Sequence, residues 1–464
     1  MFMDNKEIKR REFILNGPTY NVILAIALPI IIFNIITFCY SFVDAFMIST
    51  IDKTSVSAVF FFNQLSNVIR AIGLGLSTGG GVLVARCYGS GDFEKSKKIS
   101  NAVFYLLEII TLFIVVLSII GTPIILKLAN TSESLTKVGY EYFIIQILTV
   151  FFTTTTSLYF AFERAKGKTI NILIINIVSM VFKVALTALV VYVLKKGLTY
   201  VALATLTTNI IIFIIMMIDM YSKNNIFKLS LSGIKYIKDK EIIKSLLKIS
   251  YPLVLSKLIF TIGKLSVSSL GIEYYNEDVV AALGLACTAA ELATFITMAL
   301  EDSIGSFVSQ NVGAKNYARA KEMIKKTLHI VVASASISII VLFIFSKEVV
   351  YLFVKGEDEV YQKLVRDVFK FELFSSLTSG IGGVLLGALS GYGYTKPSIY
   401  TSLARLFIFR IPVLIILAKV FNMPPYAIGL TMFISNFMYM VSSIILYLIY
   451  RKKINIKYPE ISLE

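Results

Sequence analysis

Asp44, Arg70, Lys257, Lys264 and Glu291 are ionisable side chains set inside stretches of sequence that are otherwise almost wholly apolar. A charge near the middle of a bilayer costs about 2.5–3.5 kcal/mol on insertion scales, so such groups should face a bundle interior and are candidates for chemistry. The chemistry open to a carboxylate there is to exchange a proton or a cation. Asp44 is the first candidate: it lies 15 residues beyond Pro29, about 22 Å along a helix at 1.5 Å per residue, in the outer half of its span. The structural alternative is a permanent ion pair that only joins helices. Lys257 and Lys264 are seven residues apart and share one helix face, and a buried Lys264–Glu291 pair is expected. Glu301 and the adjacent Asp302 are expected at a solvated helix end. Around the charges, Asn34, Tyr40, Asn63, Gln64, Asn67 and Arg70 offer polar groups to a cavity. Of the 34 Phe and 25 Tyr, Tyr40 and Phe62 are the candidates for lining it and meeting flat cations through cation–π contact.

The elements that position these residues follow from composition. With 56% hydrophobic and 16% charged residues over 464 positions, and a mean hydropathy of +0.78, the chain has more apolar surface than one soluble core can hide. Lipid offers backbone groups no partner, so the long apolar runs must be helices. Twelve spans are expected, at roughly 20–49, 54–86, 99–127, 134–163, 168–194, 198–222, 246–272, 278–311, 322–353, 361–394, 396–420 and 425–450. The net charge of +16 does not point to nucleic acid, because the lysines and arginines fall on alternate connections rather than on one face with stacking aromatics. That alternation is the positive-inside pattern and places both termini in the cytoplasm. No cleavable signal is expected at the start. Cys39, Cys87 and Cys287 have no paired spacing, and His329 is the sole histidine, which leaves no firm metal site and no His-based triad. The run Gly73-Leu-Gly-Leu-Ser-Thr-Gly-Gly-Gly81 lacks the Lys-Ser/Thr of a phosphate loop and is read as a close helix contact.

The chain repeats. Val84-Ala-Arg-Cys-Tyr-Gly-Ser-Gly-Asp-Phe-Glu-Lys-Ser-Lys97 has a weak counterpart in Val308-Ser-Gln-Asn-Val-Gly-Ala-Lys-Asn-Tyr-Ala-Arg-Ala-Lys321, a shift of 224 residues (313 − 89). Pro29 has Pro252, and Asn67 has Glu291. Each half holds six expected spans, an even number, so the repeats run parallel about an axis along the membrane normal. The domains are therefore expected as a lobe at 1–222, a cytoplasmic linker at 223–248 and a lobe at 249–464, the linker being an amphipathic hinge or strap.

On Leu28-Pro29 with Phe42-Val43-Asp44, Val84 to Gly89, Arg164-Ala-Lys-Gly167-Lys-Thr169, Val308 to Ala314, and Gly391 to Pro397 with Arg410-Ile-Pro412, the chain resembles the MATE (multidrug and toxic compound extrusion) family over nearly its whole length. The resemblance implies an all-α integral membrane protein, two parallel six-helix repeats around a V-shaped central cavity, acting as a monomer. It implies a bacterial plasma-membrane antiporter, not an enzyme, that exports small organic, often cationic amphipathic compounds, coupled to H+ or Na+ through Asp44 and without a cofactor. Two departures stand out. Where the family tends to carry asparagine in the fifth span this chain has Lys183, followed four residues on by Thr187, so an ammonium could stand where sodium would bind near Asp44. Where many members have a glutamate in the seventh span this chain has Phe260, leaving Glu291 as the replacement acid. The alternative function is a flippase for a lipid-linked oligosaccharide or other anionic lipid, which Lys183, Lys257 and Lys264 would suit.

Overall fold

The computed structural model describes residues 5–49, 53–129, 131 and 133–459, and among them there is helix and no strand. The helices of the first half are α1 (Asn5–Asn16), α2 (Thr19–Ser49), α3 (Lys53–Ser90), α4 (Phe93–Ile120), α5 (Thr122–Leu128), α6 (Glu133–Lys166), α7 (Thr169–Ala188) and α8 (Leu198–Tyr221). Those of the second are α9 (Lys240–Tyr274), α10 (Glu277–Ala290), α11 (Phe295–Gly313), α12 (Tyr317–Ile344), α13 (Ser346–Phe353), α14 (Glu359–Leu373), α15 (Ser375–Gly391), α16 (Lys396–Leu403), α17 (Ile411–Ile415) and α18 (Ala427–Lys457).

Among the described residues ten helices are long and apolar enough to cross a membrane, and α10 with α11, bent by 70° between them, makes an eleventh. The remaining expected span, 396–420, is a helical path in pieces: α16, a π segment Ala404–Arg410, α17 and a π segment Ile416–Val420. Pro412 has no N–H to give the preceding turn, which favours such widening at that point.

The repeat is legible in the backbone. Asp92 caps α4 by accepting from the N–H of Lys95, and 224 residues on (316 − 92) Asn316 caps α12 by accepting from Arg319. The residues before them, Gly91 at φ +78° and Lys315 at φ +62°, share the left-handed turn that reverses the chain.

The compact division of the chain is Ile32–Val254 as one unit and Met1–Ile31 with Leu255–Glu464 as the other, which differs from the expected lobes at both ends. The reasons are local bonds. At the start, the hydroxyl of Thr19 donates to Glu322 at 2.8 Å, and the Arg319 guanidinium donates to the carbonyls of Ile14 and Gly17, tying α1 and its exit to α12. The linker, for its part, is strapped to α4. The Asn101 side chain accepts from Ser230 N–H at 2.9 Å and donates to the Lys228 carbonyl at 3.0 Å, and the Tyr105 hydroxyl donates to the Ser230 carbonyl at 2.9 Å.

In the Ile32–Val254 unit the core runs between α3 and α6, with Phe62, Phe143, Ile147 and Val150 buried together. The glycine run of α3 is what permits the close approach. A Cβ on Gly80 or Gly81 would meet Val103 or Ala161, and one on Gly75 would stand 2.5 Å from the backbone N and Cα of Val254. Because backbone cannot rotate aside, Gly75→Val is expected to cost about 1–3 kcal/mol as overpacking. Thermal unfolding of the detergent-purified variant checks this, and a wild-type midpoint would count against it. The other unit has its own core of Ala282, Ala286, Val365, Phe369, Leu373 and Ile428, all 0% exposed.

Candidate functional site

In the Ile32–Val254 unit, Asp44 comes from α2 and Lys183 from α7, and they form an ion pair at 3.3 Å with side chains 19% and 17% exposed. Tyr40, one turn before Asp44, places its ring 4.8 Å from the same ammonium. Ring and carboxylate thus meet Lys183 from one helix face, as i and i+4 positions do. Tyr142 of α6 lies within electrostatic reach of Asp44 and donates its hydroxyl to Asn63 at 3.1 Å. One Asp44 oxygen, Oδ1, is buried and makes no hydrogen bond of ordinary geometry. The arrangement is a carboxylate paired with one cation that is itself set against one ring, able to take a proton only by giving up part of its hold on the lysine.

The remaining expected residues divide. Asn34, Gln64 and Arg70 are half-buried, and Asn67 is exposed on α3. Phe62 is not a cavity wall: it is 0% exposed, stacked on Phe143 at 5.2 Å and set against Gly139, whose missing side chain makes room for the ring. Its role is to seat α3 on α6.

In the other unit the expected Lys264–Glu291 pair does not form within 4.0 Å. Glu291 opens the short 3-10 turn Glu291–Ala293 at the 70° bend between α10 and α11 and is exposed. The Lys264 ammonium instead lies 5.2 Å over the Phe260 ring. Glu291 stays within electrostatic reach of Lys264 without a direct bond, because the ammonium is turned onto the ring of its own helix. Lys257 is exposed on α9. Glu301 is no solvated helix end; it packs where a Cβ on Gly383 would collide and lies within reach of Lys257 and Arg405, whereas Asp302 beside it is exposed.

Sequence reasoning missed a buried polar network in this unit. Arg410, 2% exposed, donates from Nε to Ser435 at 3.1 Å and from Nη2 to Asn436 Oδ1 at 3.0 Å. Arg405 donates to the same oxygen, the Asn436 amide nitrogen donates to Ser375 Oγ, and Ser375 donates to Glu372 at 3.0 Å. The Arg405 guanidinium is sandwiched between Phe260 at 4.9 Å and Tyr439 at 4.7 Å. Two guanidinium groups therefore reach one carboxylate only through an amide and a hydroxyl. Glu108, which accepts from Thr155 at 2.7 Å, and the fully buried Glu163–Lys166 pair were missed as well. For Glu108, Glu372, Arg405 and Arg410 the signal was present: each stands inside an expected apolar span. Among the described residues no three His, Cys, Asp or Glu side chains are grouped as a metal would need.

The MatE family profile matches residues 29–189 and 252–416, two segments that open on Pro29 and Pro252. The chain is 22% identical over 369 residues to the probable multidrug resistance protein YoeA of Bacillus subtilis (strain 168), covering 78% of this chain and 79% of that protein. It is 23% identical over 405 residues to the multidrug export protein MepA of Staphylococcus haemolyticus (strain JCSC1435), covering 87% and 88%. Its fold matches a solved multidrug resistance MATE family transporter in an outward-facing conformation, with a TM-score of 0.90 over 99% of this chain and 100% of that one at 17% identity. Duplicated, built of helices in its described residues and matched by the profile across both repeats, this chain belongs to the MatE family of multi-pass membrane transporters.

Proposed function

We propose that the protein is a proton-coupled antiporter that exports amphipathic organic compounds, cationic ones among them, by alternating access across the bacterial plasma membrane. It acts as a monomer with both termini in the cytoplasm. The observation that carries the reading is the Lys183 ammonium 3.3 Å from Asp44. A sodium ion arriving at that carboxylate must displace a covalently tethered cation, whereas a proton needs only to bind an oxygen and loosen the pair. The organic substrate class rests on the relatives, which are named for multidrug resistance and export; those names do not favour the lipid-linked oligosaccharide flippase. The energetics suffice, since one charge moving down about 100 mV supplies roughly 2.3 kcal/mol, more than a tenfold gradient.

The test is efflux of a fluorescent organic cation from proteoliposomes under an imposed proton gradient or an imposed sodium gradient. Proton-driven export with no response to sodium is the expected result. Sodium-driven export with no response to protons would replace the proposed coupling ion. Lys183→Ala is expected to add a sodium response by exposing Asp44 to solvent cations, and its absence would mean that Lys183 does not guard the site.

A further inference from the structure

Beyond the transport site, the linker and the start of α9 form an open groove of about 540 Å³ lined by Ile237, Lys238, Lys240, Ile243, Lys244, Leu247 and Lys248. We propose that this groove binds an acidic phospholipid, its acyl chain lying along Ile237, Ile243 and Leu247 and its phosphate held by the lysines.

Three observations support that occupant. The first is helix geometry: Lys240, Lys244 and Lys248 follow i, i+4, i+8 spacing, and Ile243 and Leu247 form the adjacent stripe, so basic and apolar side chains share one face. A helix bound for a protein core separates those classes to opposite faces. A helix at a lipid headgroup layer places them together, because the lysine stems lie on apolar surface while the ammonium groups reach phosphate. Leu247 is 45% exposed, and Leu231 and Ile234 of the neighbouring 3-10 segment Leu231–Lys238 are 79% and 52% exposed.

Length is the second. α9 has 35 residues, whereas about 20 cross the hydrocarbon. Its first turns therefore stand in the headgroup zone, on the side that carries the basic connections.

The third is charge. Lys238, Lys240 and Lys244 form no ion pair among the described residues. The acids beside them are Asp239 and Glu241. Asp239 is engaged in capping α9, accepting from the N–H groups of Glu241 and Ile242 at 3.0 and 3.2 Å. Lys238, Lys240 and Lys244 beside an apolar trough therefore fit a ligand that joins an anion to a hydrocarbon chain.

Phosphatidylglycerol is titrated into the purified full-length protein and the bound lipid is counted by native mass spectrometry. Each lysine near a charged lipid surface is worth about fivefold. A variant with Lys238, Lys240, Lys244 and Lys248 all changed to Gln is therefore expected to bind at least about tenfold more weakly. A Lys95→Gln, Lys97→Gln, Lys98→Gln variant on another basic connection should bind as the wild type does. Ile243→Ser with Leu247→Ser should also weaken binding, and glycerol phosphate should fail to compete, which separates a phospholipid from a free phosphate. Equal binding by the groove variant and the wild type, or an equal loss in the Lys95/Lys97/Lys98 control, would overturn the proposal. None of these readouts depends on transport, so failure here leaves the coupling reading untouched.

Discussion

Asp44→Asn is expected to abolish gradient-driven export, lowering uphill accumulation of a fluorescent cation in proteoliposomes by at least about tenfold, the gradient that one coupled charge sustains. The substitution keeps the shape and removes the charge, so Lys183 loses its counter-ion while the Tyr40 ring remains 4.8 Å away. Breaking a buried pair costs about 3–5 kcal/mol, and this one, 17–19% exposed, should cost less. Loss of transport could then follow from local damage, and a second variant resolves that. Asp44→Asn with Lys183→Met removes both charges and restores a compatible interior. If Asp44 carries the coupling ion, the double variant should fold as the wild type does and still fail to pump. Recovery of uphill transport in it would show that the pair only joins α2 to α7.

Arg410→Ala is expected to have the largest effect on stability. The guanidinium is 2% exposed and satisfies Ser435 and Asn436, and Asn436 in turn holds Arg405 and, through Ser375, Glu372. Removing one member of such a network leaves the others buried with incomplete partners, at about 3–5 kcal/mol. A thermal melt in detergent should show a marked drop in midpoint. Arg410→Lys should recover little, since a point ammonium cannot bond Ser435 and Asn436 together as the planar fork does. A lysine variant as stable as the wild type would mean that charge alone suffices there.

The two sites differ in how far the sequence revealed them. Asp44 was found because it is a lone charge in an apolar span, and Lys183 because the family resemblance puts it where asparagine is usual, near Asp44. Glu372, Arg405 and Arg410 satisfied the same criterion and were passed over. Arg410 was read as part of a motif, and the links that make the set a network, Ser375 and Asn436, are residue types that chains place in spans for many reasons. Phe62 shows the converse error. An aromatic residue on a polar helix face looks like a cavity wall until Gly139, 77 positions on (139 − 62), is found to have made room for it. The Lys264–Glu291 ion pair does not form: spacing set both charges in neighbouring spans, and only the fold turned Lys264 over the Phe260 ring instead.

Composition and residue order determined that lipid is the solvent, that the spans are helices and that the chain is doubled, because those conclusions depend on summed hydropathy and on a recurring motif, which neighbours in space cannot change. The 224-residue shift also relates the two helix caps that the structure shows, since a cap is a local bond between residues three apart. Which charges meet, where a span bends, and that the linker is strapped to α4 were decided by the tertiary structure. Each depends on side chains from distant segments arriving within hydrogen-bond distance, and one-dimensional spacing carries no information about that.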